Sequence, residues 1–168
     1  MAKNKSWLLW AQMTVQEMRN YLRRRQSVLL PVGCTEQHGY HLPLNTDLLN
    51  AEEISKRISA QTDIVVAPTV NYTFSGGELP GTVNVSPNVL TLYLEEIMLS
   101  FCAQGFRNIY LILGHGGSEN LQALNLMRDM FLRKHRHLAQ STILAMLPIW
   151  EFGRQKNVGL ITSHDFHA

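Results

Sequence analysis

Cysteine is scarce in this chain of 168 residues, and its two copies, Cys34 and Cys102, lie far apart, which excludes a disulfide-framework protein. Charge is also sparse, at 17% of residues, and 15 Lys and Arg nearly balance 13 Asp and Glu. The only local basic run, Arg23-Arg24-Arg25, reads as a solvated helix end, so no nucleic-acid partner is expected. No apolar run approaches the roughly 20 residues that span a bilayer, and no membrane role is expected. The apolar stretch Trp7-Leu8-Leu9-Trp10 is too short for the core of a cleavable signal, so a cytoplasmic protein is expected, and those four side chains suit a subunit interface. Internal repeats and low-complexity segments are lacking.

What is present is an apolar fraction of 45%, enough for a real core in a chain the size of one domain, taken here as residues 1–168. The spacing predicts a helix over 13–25, with Thr14 as N-cap and Val15, Met18 and Leu22 on one face. The apolar run 27–33 predicts a strand buried on both sides. A helix over 48–60, with Leu49, Ile54 and Ile58 inward and Asp47 near its start, and a short strand over 63–67 follow.

After a Gly- and Pro-rich loop, whose 72–81 stretch is long enough to act as a lid, Ser86-Pro87 opens a helix that Gly105 ends. Its inward face is Leu90, Leu94, Ile97, Met98 and Phe101. Strands over 108–113 and 142–147 bracket a turn at 114–118 and a long helix over 119–137. Strands separated by helices of this length need crossovers, so the expected fold is α/β, a three-layer α/β/α sandwich with a mainly parallel sheet. In such sheets sites form at the carboxyl ends of strands.

Both polar motifs stand at such ends. The first, Gly33 to Asp47, holds four candidate ligands, Glu36, His38, His41 and Asp47, and a turn at Gly39 can splay the first two. Carboxylate with imidazole is the mixed oxygen and nitrogen set that Zn, Mn, Fe or Ni accept. Taken singly, the carboxylates could be caps or loop acceptors and the histidines ordinary. The second motif, Gly114-His115-Gly116-Gly117, adds a histidine at another strand end, and jointly the two point to a metal site. The glycines alone could be a plain turn, or Gly116 and Gly117 could offer backbone N–H groups to a substrate oxygen at the head of the next helix.

The run Leu30-Pro31-Val32-Gly33-Cys34-Thr35-Glu36-Gln37-His38-Gly39, with His41-Leu42-Pro43-Leu44 and Asn45-Thr46-Asp47, closely resembles the first signature of the creatininase (creatinine amidohydrolase) family. Leu79-Pro80-Gly81-Thr82, Gly114 to Gly117 and Asp165-Phe166-His167-Ala168 agree with the family in order. The resemblance implies two divalent metal ions, Zn, Mn or Fe, one held by Glu36, Asp47 and His115, the other by His38 and a bridging Asp47. It implies a hydrolase in which a water bridging the two ions attacks a non-peptide C–N bond of a small-molecule amide, a cyclic amide, a formamide or a relative of these. His167 would be the acid/base group protonating the leaving nitrogen, or else an exposed end residue. A homo-oligomer is implied as well.

Departures bear on activity. Family members are generally longer, so the chain is expected to lack the C-terminal part of the family domain and one carboxylate ligand with it. Glu119 falls two positions beyond a family ligand and is read as a first-turn helix residue. Cys34 stands where Ser is frequent, as a buried filler or as a soft ligand. Trp150 is either core or a surface for substrate. The nearest alternatives are a metallopeptidase trimming a precursor peptide and a catalytically silent metal-binding or interaction protein.

Overall fold

A computed structural model describes residues 6–151 of the chain. Its four strands, β1 (Ser27–Val32), β2 (Val65–Val66), β3 (Asn108–Leu113) and β4 (Ile143–Pro148), form one sheet in the order β2-β1-β3-β4 with every pairing parallel. The main helices are α1 (Val15–Leu22), α2 (Thr46–Thr62), α3 (Pro87–Gln104) and α4 (Ser118–Lys134), with a short α5 (Arg136–Ala139) before β4.

Alternation along the strands builds two cores from one sheet. Val28, Leu30 and Val32 of β1 and Ile109, Leu111 and Leu113 of β3 pack with α1, α3 and α4. Leu29, Val66 and Ile112 point the opposite way, where Ala51, Ile54 and Ile58 of α2 cover them. Helices on both faces of a parallel sheet make the three-layer α/β/α sandwich the alternation predicts. No helix among the described residues is long and apolar enough to cross a membrane.

Local chemistry accounts for the helix ends. Thr14 and Glu17 form a reciprocal capping box at the start of α1. Pro87 opens α3, and Gly105 ends it at φ 106°, a left-handed conformation that suits glycine. Ser86 precedes α3, but its side chain makes no capping bond.

Three expectations about buried faces change. Val15 is 70% exposed, while α1 buries Met18 as expected and adds Tyr21, which reaches across to donate to the Ser27 carbonyl and accept from the Val65 N–H. Leu49 is exposed, and α2 approaches the sheet through the small residues Ala51, Ser55 and Ser59. Of the N-terminal apolar four, only Trp7 is exposed: Leu8 and Leu9 pack inward, and Trp10 stacks on Phe106 at 5.3 Å.

The approach of α2 positions the site. A Cβ on Gly114, just past β3, would meet the Asp47 carbonyl oxygen at 2.1 Å, and one on Gly33, just past β1, would meet the Leu48 nitrogen at 2.8 Å. The first turn of α2 therefore sits directly on two adjacent strand ends. That seat is open only where glycine supplies no side chain.

Candidate metal centre

Asp47 lies in that seated first turn, 6% exposed, and its carboxylate is reached from two sides. Nε2 of His38 stands 3.1 Å from Oδ1, and Nδ1 of His115 stands 2.9 Å from Oδ2. The same Nδ1 is 2.8 Å from Oε1 of Glu36. Loop residues after β1 thus meet the residue after Gly114 across the crevice between β1 and β3, the place where open α/β sheets put their sites.

Each imidazole is anchored by its other nitrogen. His38 Nδ1 lies 3.2 Å from the Glu36 carbonyl oxygen, and His115 Nε2 lies 3.1 Å from the Phe74 carbonyl oxygen. A carbonyl only accepts, so those nitrogens carry the protons and donate, leaving Nε2 of His38 and Nδ1 of His115 to face the carboxylates. A histidine that donates one N–H to a backbone carbonyl and turns the other nitrogen inward is oriented as metal-binding histidines are.

The electrostatics are concentrated. Burial opposes an imidazolium at His115, but hydrogen bonds to Asp47 and Glu36 and the charges of both outweigh it and raise the pKa to about 9. Burial pushes Glu36 up, while His115 and the Ser75 hydroxyl, which donates to it, bring it down to about 2. At Asp47 burial prevails and the pKa is raised. No Lys or Arg among the described residues pairs with either carboxylate. Two acidic groups in a half-dry crevice, balanced among the described residues by histidine alone, form a donor set that fits a divalent cation of borderline softness.

Among the described residues two candidate ligand groups emerge, Glu36 with His38 and Asp47, and Cys34 with Glu36 and His115; within each, the donor atoms lie within 4.8 Å of one another. Cys34 is fully buried and its thiol is pushed up to about 11 by burial. The expected turn at Gly39 is present, with φ 67°. His41 is exposed and belongs to neither group, and Glu119 is exposed beside its neighbour, Ser118 Oγ donating to its carboxylate at 3.0 Å. A Cβ on Gly117 would stand 2.5 Å from His115 Nε2, so that glycine leaves room for the ring, while the Trp150 ring lies over Gly116, 3.6 Å from where its Cβ would be. His167 lies outside the described residues.

Two contributors escape a reading of the sequence, the Phe74 carbonyl and the Ser75 hydroxyl. A main-chain oxygen has no residue type to betray it. Ser75 at least stands before two glycines in the loop expected to cover the site.

The chain is 29% identical over 133 residues to creatinine amidohydrolase of Pseudomonas putida, an alignment covering 74% of this chain and 50% of that protein. It is 42% identical over 105 residues to the mycofactocin precursor peptide peptidase of Mycolicibacterium smegmatis, covering 58% and 41%. A solved manganese creatininase superposes with a TM-score of 0.81 at 26% identity over 89% of this chain and 61% of that one. The chain spans about half the length of the curated relatives it matches. The family model described as creatinine amidohydrolase matches residues 11–168, nearly the whole chain, and the protein belongs to the creatininase family.

Proposed function

We propose that the protein is a metal-dependent hydrolase of a non-peptide C–N bond, in a cyclic amide, a formamide or a related small molecule. The observation that carries this reading is the Asp47 carboxylate, whose two oxygens face two different imidazoles, each oriented by a backbone carbonyl. Glu36, Asp47 and His115 would hold one divalent cation. His38 with the shared Asp47 would hold the second, Glu36 being the nearest further carboxylate. Zn, Mn or Fe fit the donors. Bound there, such cations activate water and polarise an amide carbonyl.

The chain's own groups supply the rest. The seat of α2 on Gly33 and Gly114 fixes Asp47, the Ser75 hydroxyl orients Glu36, and the Phe74 carbonyl fixes the ring of His115. Trp150 over Gly116 offers a flat apolar wall to a planar amide, with the Gly116 and Gly117 N–H groups beside it for the developing oxyanion. His167 is assigned to protonating the leaving nitrogen. Two free, buried cysteines accord with a cytoplasmic setting, and a homo-oligomer is assigned with it.

A second reading, trimming of a precursor peptide, is favoured by the 42% identity to a peptidase. Elemental analysis of protein purified without chelator, beside Glu36→Ala and His115→Ala, tests the metal centre. About two equivalents, lost in the variants, are expected of a two-metal site. Turnover of creatinine or another small amide then supports the first reading, and cleavage of a peptide substrate alone supports the second. Protein that takes up no metal after reconstitution sinks both and leaves a silent member of the fold.

A further inference from the structure

The loop between Thr73 and Val85 is tied at its ends. Val85 N donates to Thr73 O, Val83 N to Thr35 O, and Gln37 N to the Thr82 hydroxyl, at 2.9, 2.9 and 3.1 Å. Its middle is held differently, by one side chain. Asn84 Oδ1 accepts from Ser75 N at 3.0 Å and Gly76 N at 2.9 Å, and Asn84 Nδ2 donates to Gly77 O at 2.8 Å. Three consecutive residues are clipped by an amide seven to nine positions on. The only other polar main-chain contact of residues 75–77 among those described is Gly77 N to the Ser75 hydroxyl, at 3.3 Å.

The clipped segment and the residue just before it carry the two atoms that address the proposed ligands. The Phe74 carbonyl, one residue before the clip, accepts from His115 Nε2, and the Ser75 hydroxyl donates to Glu36. Gly76 sits at φ 82°, so the turn has a backbone that relaxes readily unless something holds it. An Asn amide suits the task because its oxygen takes two N–H donors while its nitrogen gives to a carbonyl.

We propose that Asn84 is a positioning residue for the metal centre, setting His115 and Glu36 through the Phe74 carbonyl and the Ser75 hydroxyl. The proposal rests on the cation reading of the site. Groups that orient a ligand in this way change metal affinity without touching metal, typically by about 10–100-fold. Asp at the same place keeps both acceptor bonds, to Ser75 N and Gly76 N, but sets a carboxylate oxygen against Gly77 O in place of the donor.

Cobalt(II) titration of the full chain, followed by the ligand-field spectrum, is the test, with the ring N–H resonance of His115 as a readout that needs no metal. Asn84→Ala is expected to weaken cobalt binding by about 10–100-fold at unchanged stoichiometry, to alter the spectrum, and to lose the slowly exchanging His115 resonance. Asn84→Asp, which keeps the two acceptor bonds, is expected to restore part of all three. A clip that merely closes the loop changes neither cobalt affinity nor the His115 resonance, and wild-type values for both in a folded Asn84→Ala protein overturn the proposal. Asn84→Ser, retaining one acceptor, takes the same readouts if Asn84→Ala does not fold. Wild-type protein that takes up no cobalt, yet shows a protected His115 resonance lost in Asn84→Ala, sinks the cation reading and with it the metal role of Asn84, while showing that the clip orients the ring.

Discussion

Adding a single methyl group at Gly114 should dismantle the site from beneath. An alanine Cβ there would stand 2.1 Å from the Asp47 carbonyl oxygen, 2.9 Å from the Asp47 carbonyl carbon and 3.2 Å from the Ala51 Cβ. A carbon and a carbonyl oxygen settle near 3.3 Å, so the α2 first turn must retreat by about 1 Å. Overpacking of this kind costs about 1–3 kcal/mol, which in a chain of this size lowers Tm by about 2–4 °C per kcal/mol. The larger effect falls on the carboxylate: metal sites tolerate about 0.2 Å in ligand position, and Asp47 faces both histidines. Gly114→Ala protein is therefore expected to melt a few degrees early and to retain less than one equivalent of metal after dialysis. Gly105→Ala is the control, since nothing lies within 4 Å of its Cβ although φ is 106°; it should lose stability from backbone strain and keep its metal. Wild-type metal content together with a wild-type Tm in Gly114→Ala would refute the argument that the strand end seats Asp47.

Asp47→Ala is expected to abolish both metal equivalents, whereas His38→Ala should keep the one assigned to Glu36, Asp47 and His115; equal loss in elemental analysis of the two variants would count against a shared carboxylate. His167→Ala should keep its metal while turnover falls by about 10²–10⁴-fold, and wild-type turnover in steady-state assays would remove His167 from the proton transfer. Tyr21 gives an alkaline signature. Burial raises its pKa above 10, so its contribution to stability is complete below the unfolded-state value of 10 and is lost as pH rises from there toward the folded-state value. Chemical denaturation from pH 8 to 11 should show that loss in the wild type and a flatter profile in Tyr21→Phe, which starts about 1–3 kcal/mol lower because the Ser27 carbonyl and Val65 N–H lose their partner.

Strands and candidate ligands were legible for different reasons. β3 spans 108–113 as its apolar run predicts, and β1 ends one residue short of the expected 33, because a run buried on both faces admits one reading. Glu36, His38, Asp47 and His115 were legible as residue types clustered after strands, and folding brings all four together. On α2, Ile54 and Ile58 pack on the sheet as their spacing predicts, and Leu49 alone was misread: the helix also approaches through the small residues Ala51, Ser55 and Ser59, and Leu49 is turned outward. The long helix expected over 119–137 breaks at His135 into two, and the second strand shrinks to Val65–Val66. The loop over the site was legible as long and glycine-rich, which reads as freedom. Its side-chain clip and its end bonds are contacts between positions seven or more apart, invisible to any local pattern.

The join between Asp47 and His115 spans 68 residues of chain. It requires β1 and β3 to be brought into parallel register, a pairing of high sequence separation whose loop-closure entropy must be met before the two residues can meet. A cation that needs both residues has no competent partner in a nascent chain that has made only its first two strands. Added metal would then bind the finished sheet and not its precursors, slowing unfolding while leaving the rate of folding almost unchanged. The centre is thus a lock turned after assembly, and its influence on the protein should be read in how long the native state persists.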